Sequence, residues 1–373
     1  MNKLEMHIFK IINDKLDKNR FATPVDYFSW GRDSRHIVDD TEELPVVPDN
    51  DNLFVDSFKK IASLVIKGLL PKQVSIRYQF RKRYASFEKS YLLMSDQFSK
   101  NLFAELVLMK LVSEKNMRLS SFTQEFIHTY EKASGQILNS NDTLHVYKWV
   151  LRKMVLDNPG IVWFTEPTIL NLHYSDRLYR YQRDEVCIEV EGGDIVIDAG
   201  VGWGDTTIYL AALANQKPSG HSYAFDILED GMNALSQQHQ LNPKVRNLTP
   251  VLKALSDKDG EYVYITSPSP GAKVVDEETE CKIETVTIDT FSNENDLKSV
   301  DFIKMDIEGA EVPALNGAIQ TIRKYKPKLA ISIYHKWDDL LVIPLLINSI
   351  RDDYKYYIDC TTGFGGETIL YCH

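Results

Sequence analysis

The sequence predicts an α/β chain: a mostly parallel sheet with helices on both faces, closed by an antiparallel hairpin and preceded by a mostly helical N-terminal region. Three observations lead to this expectation. From about residue 194, short apolar runs alternate with amphipathic stretches, the pattern of β–α units feeding one sheet. At the end, "YKYYIDC" and "ETILYCH" are joined only by "TTGFGGE", which is too short for a crossover helix and suits a hairpin. In the first half, apolar residues recur at helical spacing instead.

The helical region is read from "SDQFSKNLFAELVLMKLVSEK" (95–115), where a Ser-Asp start precedes Phe98, Leu102, Leu106 and Met109 on one face. "SFTQEFIHTYEKA" and "DTLHVYKWVLRKMVL" read as its continuation, so a helical domain is expected over 1–150 and the sheet-bearing domain over 151–373. "DDTEELPVVPDNDN" (39–52) reads as an exposed connector. "IRYQFRKRYASFEKS" (76–90), with Arg77, Arg81, Lys82, Arg83 and Lys89 among aromatics, reads as a solvated helix face.

The bulk numbers narrow the classes. The 373 residues suggest two domains, and a net charge of −10 argues against a general binder of nucleic acid or anionic membranes. The start, "MNKLEMHIFKIINDKLDKNR", carries charges throughout and lacks the apolar core of a secretory leader. Runs such as "LLVIPLLI" (340–347) fall far short of the ~20 residues of a membrane span. Cys187, Cys281, Cys360 and Cys372 form no CxxC pair and read as reduced thiols. A cytoplasmic chain without a membrane span is expected.

The element order continues through "DIVIDAGVGWGDTT" (194–207): a strand, a glycine-rich turn and a helix start. Gly200, Gly202 and Gly204 permit positive φ and close backbone approach. Asp205 or Thr206 is expected to cap the helix, whose N–H groups point back toward the loop. A nicotinamide turn spaces its glycines GxGxxG, and no Lys-Ser/Thr pair follows as in a P-loop. The arrangement D-x-G-x-G-x-G suits S-adenosylmethionine, with Asp198 as the acid near the ammonium and sulfonium, directly or through water. The next strand, "SYAFD", ends at Asp226, placed to accept the ribose hydroxyl protons. After a third apolar run, Leu255, Ser256 and Asp257 are placed to contact adenine, although "DKDG" is also an ordinary turn signal.

The fourth strand, "VDFIKMDIEGAE" (300–311), ends in Asp306, Glu308 and Glu311. Period-two alternation points Lys304, Asp306 and Glu308 the same way, and ligands of open α/β sheets bind beyond the carboxyl ends of strands. Asp306 and Glu308 are therefore expected in the crevice opened by the glycine loop. Gly309 should break the strand, and Glu311 reads as a first-turn acid favoured by the helix dipole. "KLAISIYHKWDD" brings Tyr334-His335 to the end of the adjacent strand, where His335 is expected to act as a general base.

"VDFIKMDIEGAEVPALNGA", with "VIDAGVGWGDTT", "YAFD", "ALSDKDG", "ETVTIDTF" and "KPKLAISIYHKWDDLLVIPLLI", resembles the FkbM family of S-adenosylmethionine-dependent methyltransferases over about 185–373. The string K-x-D-x-E-G-x-E at 304–311 is the most specific part of the likeness. The resemblance implies a Rossmann-like, seven-stranded class I methyltransferase sheet with a terminal antiparallel hairpin. It also implies O-methylation of a hydroxyl on a sugar, polysaccharide unit or natural product. The chain departs from many relatives in its first loop, Gly200-Val201-Gly202-Trp203-Gly204, and in Asp226-Ile227 after the second strand.

The expected site is then His335, Asp306 and Glu308 for catalysis. S-adenosyl-L-methionine is expected on Asp198, Gly200, Gly202, Gly204, Thr206, Asp226, Leu255, Ser256 and Asp306. No spacing compels a metal, and none is assigned. The partner is a small-molecule or glycan hydroxyl substrate; nucleic acid is not expected, and room is left for a homo-oligomer. "SPSPGAKVVDEETEC" (267–281) and Phe364 are candidate walls for the acceptor. The alternatives are a nicotinamide-dependent oxidoreductase and a non-catalytic carrier or scaffold of the same fold.

Overall fold

The structure, a computed structural model, describes residues 3–4, 6–8, 10, 83, 85–112, 119–120, 141–146, 149–156, 159–165, 179–266, 274–275, 278–362 and 365–373. In chain order these form α1 (Gln97–Val112), β1 (Thr143–Val146), β2 (Trp149–Leu156), β3 (Ile161–Thr165), β4 (Tyr181–Arg183) and β5 (Val186–Ile188). Then follow β6 (Ile195–Ala199), α2 (Asp205–Ala214), β7 (His221–Asp226), α3 (Glu229–Gln240), β8 (Leu248–Leu252), β9 (Ala254–Leu255), β10 (Tyr262–Ile265), β11 (Val274–Val275) and β12 (Lys282–Val286). The remainder is α4 (Ile288–Glu294), β13 (Phe302–Met305), α5 (Glu311–Asn316), α6 (Ile319–Tyr325), β14 (Lys328–Ser332), α7 (Asp339–Ile350), β15 (Tyr356–Cys360) and β16 (Thr368–Cys372).

Seven strands make the central sheet, in the order β15-β16-β14-β13-β6-β7-β8. β14, β13, β6, β7 and β8 run parallel, while β16 is antiparallel to both β14 and β15. The parallel strands are apolar almost throughout because both faces are covered. Ile197, Ile303, Leu329 and Ile331 belong to one core cluster, and Val196, Phe302 and Ala330 to another. This is the Rossmann-like sheet with a terminal hairpin that the sequence predicts. Register matters for the site, since Lys304 pairs directly with Asp198 across β13 and β6.

α1 forms where expected and blunts the exposed edge of the sheet. Asp96 Oδ1 accepts the Ser99 amide at 2.6 Å and so caps the helix. The hydroxyls of Ser95 and Ser99 accept the Tyr356 and Ile358 amides of β15 at 2.8 and 3.0 Å. Edge donors that would otherwise invite another chain are thereby satisfied.

The helical expectation for "DTLHVYKWVLRKMVL" is overturned: β1 and β2 pair antiparallel, Val146 opposite Trp149, and β3 adds a third strand. Leu151 and Met154 are three apart, which mimics a helix face, yet they enter two different clusters. β2 also runs across residue 150, so the expected domain boundary falls inside a strand. The small sheet is bolted to α2 and α3. Thr165 donates to Asp205 at 2.8 Å, Gln238 Oε1 accepts the Phe164 amide at 2.7 Å, and Asn242 Oδ1 accepts the Val162 amide at 2.8 Å. "SFTQEFIHTYEKA" and the connector at 39–52 lie outside the described residues. Of the basic stretch, Arg83 pairs with Asp338 and sits 5.3 Å over the Trp337 ring, an internal use rather than a free cationic face. No described helix is long and apolar enough to cross a membrane.

Candidate active site

The glycine turn leaves β6 with Gly200, Gly202 and Gly204 all at positive φ: 90°, 57° and 82°. Gly200 has no alternative. A Cβ there would lie 1.9 Å from the Asp306 carbonyl oxygen, so the turn is in backbone contact with the end of β13. Lys304 holds this turn from below. Its Nζ lies 3.0 Å from Asp198 Oδ1 and donates to the carbonyls of Ala199, at 3.1 Å, and Gly200. Asp198 Oδ2 takes the Thr207 hydroxyl at 2.6 Å. Both members of the pair are enclosed, so Asp198 supports the loop and does not reach the crevice as expected from the sequence. Lys304 lies on the Asp306 side of the sheet, as expected, with Nζ 5.1 Å from the ring of Tyr179, whose hydroxyl donates to Asp306. Its counter-charge is buried beneath the loop, and the amine follows that charge.

Asp226 ends β7 and spends its carboxylate on backbone. Oδ2 accepts the amides of Val201 and Gly202 at 2.8 and 3.1 Å, and Oδ1 accepts that of Leu228 at 2.9 Å. Burial pushes its pKa up against the pull of those amides. The Ile227 amide also bears on the carboxylate, so backbone donors take up about all of its four acceptor positions. Neither Asp205 nor Thr206 caps α2. The cap is Gly204 in the left-handed region, and Asp205 Oδ1 accepts the Thr206 amide at 2.9 Å within the first turn. Leu255 is buried in the main core, while Ser256 beside it is partly exposed. Of the turn expected to face adenine, Ser256 and the exposed Asp257 are accessible and Leu255 is not.

Beyond β13 the chain stops alternating. Glu308 sits at φ 54° and Gly309 at 99°, a left-handed turn that takes Glu308 off the strand direction assumed for it. Glu311 folds back into that turn. Its Oε1 accepts the amides of Ile307 at 3.0 Å and Gly309 at 3.4 Å, and lies 2.9 Å from His335 Nδ1. His335, just past β14, presents its other nitrogen to Asp306 Oδ1 at 3.2 Å, with Glu308 Oε2 at 3.9 Å. Asp306 also accepts the hydroxyls of Tyr179 at 2.7 Å and Tyr334 at 3.4 Å.

The ring therefore lies between two carboxylates. Burial works against its charged form, yet the bonds to Asp306 and Glu311 overcome that and push its pKa up to about 11. Asp306 is partly buried, but His335, Lys304 and Tyr179 hold its carboxyl well below the usual range. His335 favours its imidazolium form, with Nδ1 2.9 Å from Glu311 and Nε2 3.2 Å from Asp306, which argues against the neutral base expected of it. Glu311 is the first-turn acid of α5, as expected, and at 1% exposure it is also one of the two anions beside the ring. Asp306, Glu311 and His335 do bring one ligand atom each within 4.8 Å of one another, a spacing that suits a metal ion. His335 lies 2.9 Å from Glu311 and 3.2 Å from Asp306, so the same spacing serves an ion pair.

Sequence reading missed Glu367 as well. It precedes β16, sits at φ 52°, and hydrogen-bonds Tyr334. Burial and the charge of Asp306 raise its pKa to about 8, with His335 pulling the other way. A carboxylate opening an apolar strand, "ETILYC", was the available signal. Phe364 lies outside the described residues, as does most of the proposed acceptor wall at 267–281.

Against known proteins, residues 194–353 match the model of the Methyltransferase FkbM domain. That match spans the glycine turn, Asp226, the 304–311 string and His335, and upholds the resemblance read from the sequence. No curated protein matches the chain. Among solved structures, the chain is similar to the methyltransferase FkbM from Methylobacillus flagellatus KT, with 20% identity and a TM-score of 0.49. That likeness covers 79% of this chain and 60% of the other, so the chain spans under two thirds of that relative's length. It is also similar to precorrin-6y C5,15-methyltransferase from Geobacter metallireducens GS-15, with 12% identity and a TM-score of 0.31 over 50% of this chain and 82% of that one. Aeropyrum pernix fibrillarin, solved with natively bound S-adenosyl-L-methionine, aligns with 11% identity and a TM-score of 0.31 over 62% of this chain and 99% of its own.

Proposed function

Since residues 194–353 form a methyltransferase FkbM domain, we propose that this chain transfers a methyl group from S-adenosyl-L-methionine to a hydroxyl of a sugar, polysaccharide unit or natural product. One observation supports this reading above the others. The glycine turn and the Asp306–His335 pair, 102 residues or more apart in sequence, meet in backbone contact at Gly200 and Asp306. In this reading the turn from Gly200 to Gly204 and the start of α2 at Thr206 receive the amino-acid end of the donor. Asp226 closes the ribose end from the carboxyl end of β7, and Ser256 borders the adenine. Asp198 acts from behind, through Lys304 and the loop carbonyls. Lys304 and Asp198 form a closed pair, so the donor sulfonium is left with Asp306 and Glu308 as its anionic surroundings.

The acceptor hydroxyl attacks the methyl carbon in line with the departing sulfur. The protein's main contribution is alignment, which is worth up to roughly 7–11 kcal/mol in well-oriented cases. Asp306, locked by His335 and Tyr179, borders the place where acceptor and methyl meet and sets its negative charge there, and Glu308 stands beside it. The domain's name sets the reaction class; the oxygen acceptor is our reading.

Two calorimetric titrations test the cofactor, one with S-adenosylmethionine and one with NAD⁺. Heat with NAD⁺ alone overturns the assignment. With donor binding in hand, incubation with a panel of methyl glycosides and mass measurement of the products tests the acceptor. A mass gain of one methyl group on a glycoside oxygen is the expected result.

A further inference from the structure

We propose that Glu367, carried in by the terminal hairpin, is the group that takes the hydroxyl proton of the methyl acceptor. This rests on the methyl-transfer reading above and adds a base to it. The topology puts Glu367 in position. β16 runs antiparallel to β14, with Ile369 opposite Ser332, and the Ile333 amide donates to the Thr368 carbonyl at 2.9 Å. The start of β16 therefore lies at the same edge of the sheet as the carboxyl ends of β13 and β14. Glu367 there hydrogen-bonds Tyr334, whose hydroxyl is 3.4 Å from Asp306 Oδ1.

The other polar groups at this edge are committed. Asp306 is held ionised by His335, with the hydroxyls of Tyr179 and Tyr334 on its oxygens. Its low proton affinity makes it a poor base. His335 is held between Asp306 and Glu311, at 3.2 and 2.9 Å. Glu311 is bonded to two backbone amides. Facing Glu367 are Asp306 and Glu308 from the end of β13 and Tyr334 and His335 from the end of β14. Tyr179, ahead of β4, senses the Glu367 charge as well. Two anions against one cation, in a buried setting, give Glu367 a proton affinity near that of the medium, which is what general-base transfer favours. Its left-handed backbone, at φ 52° for a residue with a side chain, is held against its ordinary preference.

The hydroxyl oxygen forms a bond to the methyl carbon, and the carbon–sulfur bond breaks with its electron pair left on sulfur. The hydroxyl proton passes to the Glu367 carboxylate. The sulfonium becomes a neutral thioether, Glu367 becomes a neutral acid, and the proton later leaves to water.

A base within reach of the acceptor oxygen is also close to the sulfonium, whose charge favours the ionised carboxyl. Binding of S-adenosylmethionine at pH 7 should therefore release close to one proton per site, and S-adenosylhomocysteine, which lacks the charge, should release almost none. Calorimetry in phosphate and in Tris reads the difference. Glu367→Gln mimics the neutral acid, so at pH 7 it should release no proton and bind the donor roughly tenfold more weakly, the affinity that proton release supplies. On a glycoside that wild type methylates, it should lower kcat roughly 10²-fold or more and erase the rise of kcat/KM for the donor with pH centred near 8. Glu367→Asp should restore part of the rise. Equal proton release from wild type and Glu367→Gln, or an unchanged pH profile, overturns the assignment of Glu367. Absence of donor binding in both proteins overturns the methyl-transfer reading instead.

Discussion

Lys304 and Asp198 face each other across neighbouring parallel strands, Nζ to Oδ1 at 3.0 Å, with their side chains 1% and 0% exposed. Nothing of this pair touches solvent, yet it carries the glycine turn through the Ala199 and Gly200 carbonyls. Lys304→Met should cost roughly 3–5 kcal/mol, because it leaves the Asp198 carboxylate buried without its counter-charge. Removing both charges, as Lys304→Met with Asp198→Leu, should cost less than the sum of the single changes. Urea unfolding of the three variants checks this; a loss below about 1 kcal/mol for Lys304→Met would mean that the pair supports nothing.

Gly200 and Gly202 separate a steric constraint from a conformational one. A Cβ at Gly200 would strike the Asp306 carbonyl at 1.9 Å, whereas a Cβ at Gly202 meets nothing within 4 Å. Gly202→Ala should therefore cost only the left-handed penalty, about 1–2 kcal/mol. Gly200→Ala should cost more than that and displace the turn from the end of β13. Thermal unfolding ranks the two, and equal losses would contradict the contact.

His335 ties stability to pH. Its folded pKa, about 11, lies above the ordinary value of 6.5, so the folded state holds a proton that the unfolded chain gives up. The stabilisation is complete below about pH 6.5 and is lost as pH rises toward about 11. His335→Gln should be much less stable than wild type at pH 6, and the gap should narrow steadily by pH 10. A gap independent of pH would show that the ring carries no such proton.

Glu311 is half of that device. Glu311→Gln keeps an oxygen for the Ile307 and Gly309 amides but removes one of the two charges on the ring. The His335 midpoint, followed by NMR on the imidazole carbons, should fall clearly from about 11 while staying above 6.5, because Asp306 remains. A midpoint at or below 6.5 would mean that Asp306 contributes little.

Much of the fold was legible in the order of residues. Runs such as "DIVIDAG" and "KLAISIY" have strand length and near-continuous apolarity, "TTGFGGE" is too short to cross a sheet, and three glycines in five positions can only be a backbone device. These are local properties, and local physics suffices to read them. The small sheet of β1 to β3 escaped because Leu151 and Met154 sit at a spacing that fits a helix as well as a strand. Only the docking of that sheet onto α2 and α3 selects between the two.

The charges of the site were decided by tertiary structure. Asp198, Lys304, Asp306, Glu311, His335 and Glu367 could each be noticed along the chain, but proton affinity depends on which neighbours the fold supplies and how far water is excluded. Register placed Lys304 beside Asp198, a backward turn put Glu311 against His335, and an antiparallel last strand delivered Glu367 to the edge where β13 and β14 end. Electrostatic energy varies with distance and burial rather than with separation along the chain, which is why the residue types were readable in advance and their protonation states were not.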